Sequence, residues 1–356
     1  MELVPGRDTA VGDCQGLTLR VMDAPQGWSS GRAGRIGRRV AALRSHLQPS
    51  GAGSGTPLHD HGVVIATDRP ASDTAIRYNQ ATALRFPPTY SLPFRRRTPA
   101  LGTGDAAAES SGHLQLHVFL PGPLEHEQPA PEPKAAVVFF SEGGWRAIDA
   151  CQFFPPCARL AAVGIVGVCA EYSAGSGPDQ RAVIHDAAAA LAALRSPALS
   201  QRFNLDPARV AAAGASAGGH LAAAIAVCPL PAELDATGRP DACVLLNPVL
   251  DLETSDGDLC PAAALRRRHN QKAAAGGAPG ATEGEALLPP TLIMLGDADP
   301  LLEPAQRFAE LGNAELLTWA GETHGWFDWT RSEESYEETT DAMLRFLHER
   351  LGWWSR

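Results

Sequence analysis

From residue 113 onward, short apolar runs alternate with longer segments rich in Ala and Leu. Residues 113–120 alternate apolar and polar side chains, which predicts a half-buried strand. Further strands are predicted at the mostly apolar residues 135–140, 164–172, 209–213, 242–247, 290–295 and 314–320, and helices at 151–162, 179–195 and 334–351. Strands and helices that alternate at these lengths indicate an α/β fold, in which helices cover both faces of a mostly parallel sheet.

The first 110 residues differ from the rest of the chain. They are rich in Gly, Pro, Ser and Arg and show weak periodicity. A helix is predicted over residues 36–47 and a strand over residues 62–67, whereas residues 51–57 have the composition of a flexible linker. We therefore expect a partly irregular N-terminal extension at residues 1–110, followed by an α/β domain at residues 111–356.

Composition and charge exclude several classes of protein. Hydrophobic residues make up 44% of the chain and the formal net charge is −10, which argues against a general nucleic-acid binder. Short arginine clusters at residues 32–39, 95–97 and 266–268 are typical of a solvated surface. The seven cysteines are odd in number and include no C-x-x-C pair, so we expect neither a zinc site nor a disulfide framework, and no cofactor.

The cellular compartment is predicted from two sequence patterns that are absent. The first residues lack the charged start and apolar stretch of a secretory signal. No run of about 18 apolar residues occurs in the sequence. We therefore expect a cytoplasmic protein that has no membrane span.

Residues 214–218 read Gly-Ala-Ser-Ala-Gly and match G-x-S-x-G, the pattern of a nucleophile on a sharp strand-to-helix turn. A predicted strand precedes this segment and Ala-rich residues follow it. Because such a turn strains the backbone of the serine, the neighbours of that serine must lack bulk. Ser216 is therefore the candidate nucleophile, and the alternative is an accidental match in a chain that contains 35 glycines.

A serine hydroxyl needs a base, and the base needs an acid to orient it. In an α/β sheet with this kind of turn the order along the chain is serine, acid, histidine. His324 lies on a loop after the last predicted strand and is the candidate base. Asp299 and Asp297 both follow the preceding strand, so both would lie at the same rim of the sheet as Ser216. Asp299 is the first choice for the acid and Asp297 the second.

A tetrahedral intermediate also needs preorganised backbone donors for its negative oxygen. The N–H of Ala217, at the start of the helix, is one candidate. Another predicted strand ends in a Ser-Glu-Gly-Gly-Trp segment, where Gly143 and Gly144 allow the backbone to approach a ligand closely. Trp145 and Trp326 flank the predicted site and either contact substrate or pack in the core.

These motifs, in this order, resemble the α/β-hydrolase superfamily over residues 113–354. The resemblance is strongest to the serine esterases related to hormone-sensitive lipase and to bacterial feruloyl and acetylxylan esterases. It implies an α/β-hydrolase fold with a catalytic domain at residues 111–356, which would hydrolyse short acyl esters, including acetyl groups on carbohydrate. It implies that Ser216 is the nucleophile, Asp299 the orienting acid and His324 the base. It also implies that the backbone N–H groups of Gly143, Gly144 and Ala217 are the oxyanion donors.

The loop at residues 141–145 departs from the family, which usually has His-Gly-Gly-Gly-Trp there. Ser141 and Glu142 replace the His and the first Gly. Because a carboxylate beside an oxyanion opposes catalysis, we expect the Glu142 side chain to point away from the site, towards Arg146. Because this loop is altered, the alternative to an esterase is a non-catalytic binding protein with this fold. A peptidase of the same superfamily is a third possibility.

Overall fold

The computed structural model describes residues 82–97, 112–122, 132–145, 149–173, 180–252, 257–275 and 286–352. The strands in these ranges are β1 (Tyr90–Arg96), β2 (His113–Phe119), β3 (Lys134–Phe140), β4 (Val166–Ala170), β5 (Leu205–Ala215), β6 (Cys243–Leu246), β7 (Thr291–Gly296) and β8 (Glu315–Trp319). The helices are α1 (Phe154–Ala162), α2 (Gln180–Arg195), α3 (Pro197–Phe203), α4 (Ala217–Val227), α5 (Ala232–Asp235), α6 (Pro261–Ala275), α7 (Leu302–Gly312) and α8 (Glu333–Leu351).

The described strands form one sheet in the order β1-β2-β4-β3-β5-β6-β7-β8. β2 pairs antiparallel with β1 and with β4, and every other neighbouring pair is parallel. The α/β fold with a mostly parallel sheet is therefore confirmed. Nearly every residue of β3, β4, β6 and β7 is buried, because helices cover a parallel sheet and leave no polar face, and this explains their continuous apolar sequences.

Residues 90–96 fall within the predicted N-terminal extension but form the edge strand β1 of the sheet. Pro93 obscures this strand in the sequence, since proline cannot donate to a sheet ladder and is confined to edges and bulges. The pairing of β1 with β2 shifts register between Pro93 and Arg95, as expected for a bulge. The predicted helix, strand and linker at residues 36–67 lie outside the described residues, so the domain boundary stays a prediction.

Two of the arginines at residues 95–97 pair with buried carboxylates, whereas Arg96 is exposed as the sequence suggested. Arg95 Nε lies 2.7 Å from a carboxylate oxygen of Asp186, whose side chain is fully buried on α2. Arg97 Nη2 lies 3.3 Å from Oε2 of Glu171, a buried residue that follows β4. These arginines tie the edge strand to the domain through buried carboxylates. Among the described helices, none has the length and apolar character needed to cross a membrane.

Candidate active site

Ser216 occupies the single residue between the end of β5 and the start of α4. Its φ of 50° and ψ of −113° lie in a region that residues with a side chain rarely adopt, so the turn is strained. The flanking glycines are required by packing: a Cβ on Gly214 would lie 2.4 Å from the Gly218 carbonyl oxygen, and one on Gly218 would lie 2.0 Å from that of Phe140. The G-x-S-x-G pattern therefore arises from close contact between β5, α4 and the end of β3.

The structure brings Ser216, His324 and Asp299 together. His324 Nε2 lies 3.1 Å from Ser216 Oγ, and His324 Nδ1 lies 2.8 Å from Asp299 Oδ2. Asp299 is 3% exposed, and its other oxygen accepts from the Leu301 backbone N–H at 2.9 Å. Asp297 is exposed, and its carboxylate accepts instead from the Gly321 N–H at 2.7 Å. Of the two aspartates that the sequence offered, Asp299 is the one that reaches the histidine.

Asn247 was not assigned a role from sequence, yet its side chain reaches His324. Its Nδ2 atom lies 3.1 Å from His324 Nε2, and the residue is fully buried with a φ of 33°. An amide nitrogen only donates, so the network assigns Nε2 as an acceptor and places the ring proton on Nδ1, facing Asp299. The hydroxyl of Ser216 then shares Nε2 as an acceptor with the amide of Asn247. Asn247 directly follows β6, at the rim where ligands bind in such sheets, and this position was the sequence signal that could have identified it.

The two tryptophans that flank the site differ in their surroundings. Trp326 is 2% exposed and packs on Trp319 and Phe327, each with ring centroids 5.4 Å away. This favours the core-packing alternative for Trp326. Trp145 is half-buried and meets the His220 ring edge-to-face at 5.2 Å, beside the glycines of the loop. Trp145 therefore remains a candidate for contact with substrate.

The loop after β3 has a backbone that only small residues adopt easily. Gly143 and Gly144 have φ values of 138° and 59°, and Trp145 follows at 60°. The loop is anchored at its start: the Glu142 N–H donates to Gln152 Oε1 at 2.9 Å, and the Tyr172 hydroxyl donates to the Ser141 carbonyl oxygen at 2.9 Å. Sequence reasoning missed both anchors.

The orientation expected for the Glu142 side chain, away from the site, stays a prediction. Its Oε2 atom is buried and lacks a hydrogen-bond partner within the described ranges. Burial raises the pKa of the carboxyl, while the nearby His324 lowers it, so the group lies within electrostatic range of the histidine. Arg146, the expected partner, lies outside the described residues. A raised pKa extends the neutral form of the carboxyl to higher pH, and only the ionised form carries a charge that opposes an oxyanion.

His220 lies on the first turn of α4 and is fully buried. Its Nε2 atom is 3.0 Å from the Leu259 carbonyl oxygen, so that nitrogen carries the proton and donates. Burial lowers the pKa of the ring to about 4, which keeps it neutral near pH 7. The ring packs against Trp145 and takes no part in the hydrogen-bonded chain from Asp299 to Ser216.

Comparisons with known proteins agree with this geometry. The profile of a family described as alpha/beta hydrolase fold matches residues 137–328. Among solved structures, esterase 2 of Thermogutta terrifontis phosphorylated by paraoxon is 26% identical, with a TM-score of 0.60 over 76% of this chain and 97% of that chain. Its propionate-bound form gives the same values. Its butyrate-bound form is also 26% identical and gives a TM-score of 0.56 over 69% of this chain and 92% of that chain. A search of curated proteins returned no significant match.

Proposed function

Because the chain belongs to the α/β-hydrolase fold family, we propose that it is a serine carboxylesterase that cleaves short-chain acyl esters through an acyl-enzyme on Ser216. The superfamily expected from the sequence motifs is confirmed by the family match. The observation that carries the proposed activity is the continuous hydrogen-bonded chain from Asp299 through His324 to the hydroxyl of Ser216. The strained turn presents that hydroxyl at the rim of the sheet.

The first half of the reaction forms the acyl-enzyme. Ser216 Oγ attacks the ester carbonyl carbon while its proton passes to His324 Nε2, and Asp299 stabilises the imidazolium that results. The bond from the carbonyl carbon to the alcohol oxygen then breaks. His324 returns the proton to that oxygen, so the alcohol leaves neutral.

The second half releases the acyl group to water. His324 Nε2 takes a proton from a water molecule as the water oxygen attacks the acyl carbon. The bond to Ser216 Oγ breaks, the proton returns to that oxygen, and the carboxylic acid departs. The serine, histidine and aspartate are then in their starting states.

Negative charge develops on the carbonyl oxygen in both halves. The N–H groups of Gly143, Gly144 and Ala217 are the proposed donors to that oxygen. Ala217 begins α4, so the positive end of the helix dipole also favours charge at this point. The neutral form of Glu142 is compatible with this arrangement, whereas an ionised carboxyl would oppose it.

The substrate class is proposed to be small-molecule esters with short acyl chains, including acetyl groups on carbohydrate. Support comes from the Thermogutta terrifontis esterase, of which propionate-bound and butyrate-bound structures resemble this chain. The carbohydrate part rests on the resemblance of the sequence motifs to acetylxylan esterases. Trp145 is the residue proposed to contact the substrate, since it lies half-buried next to the proposed donors.

The test is turnover of 4-nitrophenyl esters from acetate to octanoate, together with labelling by a fluorophosphonate probe. We expect a single labelled site at Ser216, loss of labelling and turnover in Ser216→Ala, and rates that fall with acyl length. Absence of both labelling and turnover in the unaltered protein would overturn the proposal in favour of a non-catalytic binding role. Faster cleavage of aminoacyl amides than of esters would assign it to the peptidases.

A further inference from the structure

The peptide group between Ser141 and Glu142, at the start of the loop after β3, is hydrogen-bonded at both ends. Its carbonyl oxygen, on Ser141, accepts from the Tyr172 hydroxyl at 2.9 Å. Its N–H, on Glu142, donates to Gln152 Oε1 at 2.9 Å. Because the atoms of a peptide group lie in one plane, rotation of this group would break both hydrogen bonds together.

The two anchors come from separate elements and are themselves fixed. Tyr172 follows β4 and is fully buried, whereas Gln152 belongs to the short 3-10 helix Ala150–Phe153 and is 7% exposed. That turn is closed by Asp149, whose side chain accepts from the Cys151 N–H at 3.0 Å and whose carbonyl accepts from the Gln152 N–H at 3.1 Å. The Gln152 amide is therefore presented by an internally bonded turn, and the Tyr172 hydroxyl by a fully buried side chain.

The three residues that follow form no regular secondary structure. Gly143, Gly144 and Trp145 all have positive φ values, so this stretch belongs to neither a helix nor a strand. The peptide after the anchored one carries the N–H of Gly143, the first of the proposed oxyanion donors. The direction of that N–H is set by rotation about the bonds of Glu142, starting from the anchored plane.

We propose that Tyr172 and Gln152 form a clamp on the Ser141–Glu142 peptide and are positioning residues that aim the Gly143 N–H at the developing oxyanion. Neither side chain is required to touch the substrate, so the clamp acts on the transition state rather than on binding of the ester. This inference rests on the proposed esterase function. A neighbouring close contact supports it, since a Cβ on Gly218 of α4 would lie 2.7 Å from the same Ser141 carbonyl oxygen.

The test separates kcat from KM for 4-nitrophenyl acetate. Tyr172→Phe deletes one hydroxyl, and Gln152→Leu deletes the acceptor while keeping the size of the side chain. Tyr336→Phe on α8 is the matched control, because it deletes a hydroxyl from another buried tyrosine. Since outright loss of one oxyanion donor costs about 10²–10³ in kcat, we expect each clamp variant to lose roughly 10-fold or more in kcat, with KM within about twofold.

A second expectation comes from the shared peptide. Once one end is free the plane can turn, so the double variant loses much less kcat than the product of the two single losses. Thermal unfolding identifies the folded variants, and Gln152→Leu decides the matter where Tyr172→Phe does not fold. Unchanged kcat in folded clamp variants of an active enzyme overturns the clamp alone. A wild-type protein with neither turnover nor Ser216 labelling overturns the esterase function and the clamp with it.

Discussion

The side-chain nitrogen of Asn247 lies 3.1 Å from Nε2 of His324, as close as the Ser216 hydroxyl oxygen is to the same atom. The amide can only donate at that nitrogen, so it favours the form of the ring in which Nε2 carries no proton. This is the form that accepts the serine proton. Asn247 therefore reinforces, from the side opposite Asp299, the proton placement that the reaction requires.

Asn247→Asp tests this relationship with almost no change of shape. A carboxylate accepts where the amide donated, so it favours a proton on Nε2 and blocks transfer from Ser216. We expect kcat at pH 7 to fall by about 100-fold or more, since a wrong tautomer of a catalytic histidine costs up to about 10⁴. Asn247→Leu, which neither donates nor accepts, should lose much less. Equal kcat for Asn247→Asp and wild type in a 4-nitrophenyl acetate assay would contradict this reasoning.

The assignment of the acid is tested by a matched pair of substitutions. Asp299→Asn should lower kcat by about 10³- to 10⁴-fold, because the carboxylate that fixes and stabilises the ring is lost. Asp297→Asn should change kcat by less than about 10-fold, since the described contacts of the Asp297 carboxylate include the Gly321 backbone N–H and not His324. Steady-state kinetics of both variants decide the matter, and the reverse order of losses would transfer the acid role to Asp297.

The parts of the fold that sequence predicted are those in which one physical signal dominates. Nearly every residue of strands β3, β4, β6 and β7 is buried, so their sequences are almost continuously apolar. Strand β1 escaped notice because Pro93 interrupts it and because an edge strand is paired on one side alone.

The same distinction applies to the site. Ser216, Asp299 and His324 were predictable because each lies within a few residues of the end of a strand and their order along the chain is characteristic. The contacts of Gln152 and Tyr172 depend on distances between separate elements, which no local pattern reveals. The burial of Glu142 likewise depends on the elements packed around the loop, and this burial raises the pKa of a carboxyl that the sequence argument treated as ionised.

His220 should make stability fall at mildly acidic pH. Burial lowers the pKa of the ring from 6.5 to about 4, so the native state binds fewer protons than the unfolded state in that window. The free energy of unfolding should therefore drop as pH falls from about 6.5 to about 4, by about 3 kcal/mol at most from this residue. His220→Gln should show a flatter dependence in urea unfolding at pH 7, 5.5 and 4.5. Parallel curves for variant and wild type would rule out a buried neutral ring.

Glu142 should contribute a pH dependence of opposite sign. Burial raises the pKa of its carboxyl above the usual 4.5, so the native state binds more protons than the unfolded state between those two values. Ionisation of Glu142 therefore destabilises the protein as pH rises through this window. Glu142→Gln removes the ionisation and keeps the shape, so we expect the variant to gain stability over wild type from about pH 4.5 upward, with the gain levelling off above the raised pKa.

Activity should follow the same titration, because Glu142 directly precedes Gly143 and lies within electrostatic range of His324, so its negative charge would oppose charge on the oxyanion. The ratio of kcat for Glu142→Gln over wild type should rise with pH, measured from pH 5.5 to 9 with 4-nitrophenyl acetate. Glu315→Gln, an exposed carboxyl on β8, is the matched control and should give a constant ratio. A ratio for Glu142→Gln that stays constant or falls with pH would show that the carboxylate does not act on the intermediate, and the Ser141 and Glu142 replacements would then be neutral for catalysis.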